Sequence, residues 1–277
     1  MKIALYNRDP GNGIEALKQL LREKGATLAC YGEDFFSHED LPSDTGLFLS
    51  LGGDGTFLQS LTFVRDRGIP VAGVNFGRLG FLTTARADDA GDWIDDMLAG
   101  RFQVEERSLL RVTCADMPEG FYPFALNEVS LQRRGAGMLS VHVRIDGREL
   151  PAYWSDGLVV ATPTGSTAYN LSVGGPIVMP SSEVMVIAPI APHNLNVRPL
   201  VVPMSSCVEL CFESRSGEAL LVVDNRPFQI GAGVAVSLAR GRYGLRYASF
   251  SHNSFIGALR SKLLWGEDRR NVIPNDR

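Results

Sequence analysis

Cysteine is scarce in this sequence. The four that occur, Cys30, Cys114, Cys207 and Cys211, form no C-x-x-C pair. Cys207 and Cys211 share one side of a β-like run, at a spacing zinc sites do not use. They read as buried free thiols of a reducing compartment. A basic excess is also missing: 27 Lys and Arg stand against 31 Asp and Glu, a formal net charge of −4. This argues against a nucleic-acid binder, whose domains carry a positive surplus. An anionic ligand would then have to be drawn in by backbone amides and local arginines rather than by a global field. No apolar run reaches membrane length, and Met1–Tyr6 is too short and too quickly polar for a signal peptide. A soluble, cytoplasmic protein with no membrane partner is expected. Internal repeats and low-complexity tracts are absent as well.

What is present suits a globular chain of two domains: 277 residues, 45% hydrophobic and 21% charged. Residues 1–100 alternate strands with helices. Lys2–Tyr6 is apolar and strand-like, the turn Asp9–Gly13 follows, and Ile14, Leu17, Leu20 and Leu21 then fall at helical spacing up to a C-cap at Gly25. Gly46–Leu51 and Ile69–Val74 read as buried strands, Thr56–Arg67 and Asp88–Leu98 as helices. That order predicts a Rossmann-like α/β unit, a parallel sheet with helices on both faces. Residues 101–245 change texture into short β-rich segments separated by turns, among them a hairpin signal at Asp146-Gly147. They predict an all-β, sandwich-like unit of packed sheets. In the last stretch, 246–277, the segment Ser254–Trp265 puts Phe255, Leu259, Leu263 and Leu264 on one helical face, expected to pack back on the first domain.

Two segments carry chemistry. Gly52-Gly53-Asp54-Gly55-Thr56 follows an apolar strand, at the sheet end where open α/β folds bind ligands. Its glycines let backbone amides face phosphate oxygens. A carboxylate among such amides repels phosphate, so Asp54 makes sense if it orients or deprotonates a hydroxyl that attacks phosphorus. The plainer alternative is a tight turn with Asp54 as helix N-cap. Neither G-x-x-x-x-G-K-[ST] nor G-x-G-x-x-G is matched. Thr162–Asn170, with Gly174-Gly175-Pro176 behind it, is dense in hydroxyls after a strand and suits a purine edge and a ribose, with Tyr169 as an aromatic face. A hydroxyl-capped helix start is its plainer alternative. It is not a nucleophile elbow. The pair points to a kinase acting on a nucleotide-like alcohol.

Taken together, the chain resembles the ATP-dependent NAD kinases. The motifs that carry the likeness are Gly52–Thr56, Gly77-Arg78-Leu79-Gly80-Phe81, Asn127-Glu128, Thr162–Tyr169 and Gly174–Pro176, in the family's order. The glycine-aspartate loop alone also resembles diacylglycerol and sphingoid kinases and, more loosely, phosphofructokinases; the second segment separates this chain from them. The resemblance implies transfer of the ATP terminal phosphate to the adenosine 2′-hydroxyl of NAD, with a divalent metal, Mg2+, accompanying ATP and no metal site of protein ligands alone. It implies that Asp54 activates the hydroxyl, that Gly53, Gly55 and Thr56 lie by the phosphates, and that Phe81 walls the nicotinamide side. Asn127 and Glu128 would bond ribose and base. Thr164, Thr167, Ala168 and Tyr169 would contact adenine and ribose, with Ser172 close by.

Family members are oligomeric, so a homodimer or homotetramer is implied, with Asp156 reaching a neighbour's site. Two departures stand out: Trp154 occupies a position that is basic in many relatives, and Asp224-Asn225 replaces a common Asp-Gly. Arg78 is a candidate phosphate ligand or a surface arginine. His193 reads as structural, and His38, His142 and His252 show no partner pattern. The alternatives to an NAD kinase are a catalytically silent NAD(P)-binding sensor and a related kinase of another alcohol. A carboxylate beside phosphates argues against the first, and the hydroxyl-rich segment against a lipid substrate.

Overall fold

The computed structural model describes residues 1–8, 13–77, 80–250 and 255–264, and counts of elements and partners refer to these residues. Four apolar strands, ordered Thr27–Cys30, Lys2–Asn7, Thr45–Leu51 and Val71–Asn75, pair in parallel, with Ile3 beside Leu47 and Phe48 beside Val71. Every residue of Val71–Asn75 is buried, as expected of a strand covered on both faces. Alternation splits the side chains between two cores. Ile3, Leu5 and Leu49 pack with α1 (Ile14–Glu23) and α3 (Ala90–Leu98), whereas Ala4, Tyr6 and Phe48 pack with α2 (Asp54–Val64). Helix α1 ends as its sequence predicts. Gly25, at φ 88°, donates to the Arg22 carbonyl and Ala26 donates to that of Leu21, a Schellman stop.

The start of α2 differs from expectation. The helix begins at Asp54, two residues before Thr56, with Gly53 in the N-cap position. Asp54 therefore lies inside the first turn and does not cap it.

The β-rich part forms two further sheets, of seven and six strands, whose inner faces share one core around Val141, Leu158, Ile187 and Phe212. Asp146 and Gly147, both at positive φ, close a two-residue hairpin between Ile145 and Arg148. A short helix, α4 (Tyr169–Ser172), follows a 3-10 turn, Thr164–Thr167. Strand Gln103–Arg107 falls within the stretch expected to be part of the β unit, yet it lies in the first sheet, antiparallel to Leu245–Ser249. The latter strand also touches Val71 through Tyr247. The chain thus leaves the first sheet after Arg107 and re-enters it at Leu245.

The last helix, α5 (Phe255–Leu263), sets Phe255 6.3 Å from the Phe81 ring and buries Leu259. Leu264 is off that face and 42% exposed, contrary to the helical pattern. Ser254, Trp265, His252, Arg78 and the turn at 9–12 lie outside the described residues. All four cysteines are free, but only Cys30 is buried; the other three are half-buried, against the expectation. Among the described residues no helix is long and apolar enough to cross a membrane.

Candidate active site

The strand Thr45–Leu51 delivers Gly52 to the carboxyl end of the sheet. Gly52 has φ 150°, and a Cβ there would stand 2.6 Å from the Thr56 hydroxyl, so Thr56 fills the space beside it. The Asp54 carboxylate turns to the loop after Val71–Asn75. Its Oδ2 accepts the Phe81 amide at 2.7 Å. Its Oδ1 accepts the Leu82 and Thr83 amides, each at 3.1 Å, and the Thr83 hydroxyl at 3.0 Å. Thr83 Oγ1 in turn accepts from the Gly80 amide and from Asn75 Nδ2. A Cβ on Gly80 would lie 1.6 Å from Asp54 Oδ1, which is why that position is glycine. The aspartate and the Gly80–Thr83 loop form one unit, and Oδ2 keeps the spare acceptor capacity.

Gly53 and Gly55 are exposed, and a Cβ on either meets nothing within 4 Å. The Thr56 and Phe57 amides donate to the Gly53 carbonyl, which leaves the Asp54 and Gly55 amides as the first-turn donors without a helical acceptor, an arrangement that suits an anion. Gly55→Val should therefore weaken nucleotide affinity by roughly tenfold or more while shifting the melting temperature little. Calorimetric titration beside thermal melting separates the two. A large fall in melting temperature with intact affinity would leave the loop as scaffold.

The second segment is organised by Asp224, which stands out in the sequence only as part of the Asp224-Asn225 pair. Asp224 is buried, and its carboxylate accepts the amides of Leu126, Asn127 and Glu128 at 3.0, 2.8 and 3.3 Å. Burial pushes its carboxyl up, while Arg226 and the three amides pull it back. The Asn127 carbonyl accepts the Thr162 amide, and the Gly165 backbone packs so closely that a Cβ there would sit 2.0 Å from that carbonyl. Gly175 serves Asn170 in the same way, its missing Cβ lying 1.9 Å from Asn170 Oδ1. These glycines make room for neighbouring residues. Asn225 Nδ2 donates to the Gly55 carbonyl at 3.4 Å, tying the two segments together.

Glu128 is buried with Oε2 unpartnered among the described residues. Burial, then the charge of Asp224, pushes its carboxyl up to about 8, against the pull of the Tyr169 amide. It is neutral at pH 7 and can donate as well as accept.

A cavity of about 450 Å³ opens between the first sheet and the β unit, a volume suited to a small-molecule ligand. Phe81, Arg107 and Tyr247, Thr164 and Thr167 of the β unit, and Phe255 of α5 line it. Asn127, Glu128, Ala168 and Tyr169 are outside this lining and are joined to it through the Thr164–Thr167 turn. Ser172 is exposed at the end of α4. Asp156 forms an ion pair with Arg133 at 2.7 Å. Burial, then Glu128 and Asp156, push the Tyr169 hydroxyl above its usual range, so the field of Asp156 reaches Tyr169 within its own chain. His38 contacts the Phe63 carbonyl at 2.6 Å, and His142 lies about 4 Å from Glu149 and Glu213.

Residues 36–102 match the description of the ATP-NAD kinase N-terminal domain, and residues 126–249 that of the ATP-NAD kinase C-terminal domain. The NAD kinase of Cytophaga hutchinsonii is 41% identical over 241 residues, covering 86% of this chain and 82% of that protein. The chain belongs to the NAD kinase family. A second NAD kinase, from Porphyromonas gingivalis, is 40% identical over 285 residues and covers 96% of this chain and 98% of its own. Among solved structures, an Archaeoglobus fulgidus NAD kinase in complex with ATP superposes with a TM-score of 0.78 at 28% identity, covering 95% of this chain and 99% of that one. Yeast NADH kinase complexed with NADH has the same fold, with a TM-score of 0.85 at 24% identity over 96% of this chain and 88% of that one.

In this NAD kinase family member, the buried Glu128 carries a pH signature. The unfolded chain ionises the side chain near its ordinary value of 4.5, whereas the native protein keeps the proton up to about 8. The native state binds more protons across that window, so Glu128 makes stability fall as pH rises through it. Glu128→Gln removes the slope. The variant should gain melting temperature relative to wild type at pH 8 but not at pH 4. A difference that does not change with pH would exclude the neutral buried carboxyl.

Proposed function

We propose that this chain transfers the terminal phosphate of ATP to the adenosine 2′-hydroxyl of NAD, giving NADP. The observation that carries the reading is the Asp54 carboxylate, immobilised by three amides and a hydroxyl at the start of α2, beside two glycines with open faces. Oδ2, with a single protein donor, accepts the proton of the 2′-hydroxyl. The ribose oxygen forms a bond to the terminal phosphorus as the bond to the bridging oxygen breaks and ADP leaves. Positioning matters more than basicity in so loose a transition state. Asn127, neutral Glu128 and the Thr164–Tyr169 segment hold the ribose and the adenine edge, and Phe81 bounds the nicotinamide side. Mg2+ fits as an ion carried by the triphosphate, whose charge it neutralises, because the Asp54 oxygens already accept four protein hydrogen bonds. The test is incubation with NAD, ATP and Mg2+, with NADP read by a coupled dehydrogenase. A purified, folded protein that forms no NADP would refute the reading.

Four free cysteines suit a cytoplasmic setting. A homo-oligomer is supported by apolar side chains exposed on the β unit: Trp154 at 54%, Leu195 at 87% and Val201, on an edge strand, at 47%. Asp156, two residues from Trp154, would then complete a neighbour's site. Two inactive parents, Asp54→Ala and Asp156→Ala, mixed and reassembled, should recover about a quarter of wild-type activity, because half the pairs are unlike and each holds one intact site. If Asp156 serves its own chain, no mixing ratio restores activity.

A further inference from the structure

Among the described residues, one cation beside Asp54 has no protein counter-charge bonded to it. Lys262, near the end of α5, has its Nζ shielded from water and without a hydrogen-bond partner among the described residues. The nitrogen stands 4.5 Å from the centroid of the Phe81 ring. Phe81 is the residue whose amide donates to Asp54 Oδ2, so ammonium and carboxylate flank one residue. Burial pushes the Lys262 amine below its usual range, and the charge of Asp54 offsets part of that.

The other cations described around the site are engaged. Arg107 pairs with Glu105 at 2.7 Å and lies over the Tyr247 ring. Arg133 pairs with Asp156. Arg226 donates to the Tyr122 and Phe124 carbonyls beside Asp224.

A shielded ammonium lacking hydrogen bonds is costly, and contact with one aromatic face compensates only part of that. Such a group is accounted for when its counter-charge arrives with a ligand. The ligand expected here carries several negative charges at Asp54. We propose that Lys262 binds phosphate: its ammonium donates to the donor triphosphate next to Asp54, making α5 part of the active site. The inference rests on the kinase reading and adds a residue to its donor site. Lysine suits the role as a compact charge on a flexible stem.

Lys262→Met keeps most of the stem and removes the charge, and Lys262→Arg keeps the charge. ATP titration by calorimetry in the absence of NAD should show roughly 10–100-fold weaker binding for Lys262→Met, the range of one charge-assisted hydrogen bond. Adenosine affinity should stay within twofold of wild type, and Lys262→Arg should regain most of the ATP affinity. Lys262→Gln is the substitute should the methionine variant not fold. ATP affinity within twofold of wild type would overturn the proposal. So would an equal loss for ATP and adenosine, which marks a packing role, or a loss confined to NAD. The titration needs no turnover, so it judges Lys262 separately from the NADP assay that judges the kinase reading.

Discussion

Asp54→Asn is expected to lower kcat by roughly 10²–10⁴, the usual worth of a positioned acid–base group. The structure adds a reason why even this conservative change disturbs its surroundings. The carboxylate accepts four hydrogen bonds, one of them the Phe81 amide at Oδ2. In asparagine one of the two positions becomes a donor and faces another donor. The Gly80–Thr83 loop should loosen, and with it the Phe81 wall. Thr83→Val separates the contributions, because it removes one donor to Oδ1 and leaves the carboxylate in place. Its kcat should fall by about tenfold or less, the scale of one hydrogen bond. Steady-state kinetics with saturating ATP and NAD reads both variants. Near-wild-type kcat in Asp54→Asn would refute a proton-accepting role.

The largest loss of stability is expected at Asp224→Ala. The side chain is fully buried, accepts three consecutive amides, and lies 3.9 Å from the Arg226 guanidinium. Removing one partner of a buried charged pair costs about 3–5 kcal/mol, because the other charge is left uncompensated. Orphaned amides would add to this, though not additively, since they share one acceptor. Urea unfolding should show the midpoint falling accordingly. Nucleotide affinity should fall with it, because the same amides present Asn127 and Glu128. An unchanged midpoint would mean that Arg226 and the amides find other partners.

How much of this could be read from residues depends on the range of the interaction. The parallel sheet was legible in the apolar runs at Lys2–Tyr6, Gly46–Leu51 and Ile69–Val74, because a strand buried on both faces shows it in composition. The stop at Gly25 and the hairpin at Asp146-Gly147 were legible because each is decided within four residues or so. Gln103–Arg107 was not. It is exposed along almost its whole length and has no alternation; it is a strand because Leu245–Ser249 uses its backbone. Leu200–Pro203 and Arg226–Gly231 carry prolines that demote a strand in a sequence, and both lie at the edge of their sheet, where proline is tolerated.

At the site, the two glycine segments announced themselves, but their wiring did not. Asp54 bonds a loop 27 to 29 residues away, and Asp224 bonds amides 96 to 98 residues away. No local pattern encodes those separations. The neutral Glu128 and a Lys262 unpaired among the described residues are consequences of burial, which tertiary packing alone decides.

The exit at Arg107 and re-entry at Leu245 also dictate an order of events during synthesis. As the chain emerges from a ribosome, Val71–Asn75 is made long before its neighbour Leu245–Ser249; Ala85–Arg86 soon pairs with Val74 and Asn75, but the Val71 end of that flank stays uncapped while the whole intervening unit is translated. An uncapped hydrophobic strand is a template for unwanted pairing with other chains. The intervening unit can close its own core meanwhile, which brings Arg107 and Leu245 into register for the late strand to dock. Refolding from urea should therefore show an early phase in the β unit and a slower, concentration-sensitive phase as the first sheet is sealed. In the cell, a chaperone would be needed most before Leu245–Ser249 has left the tunnel.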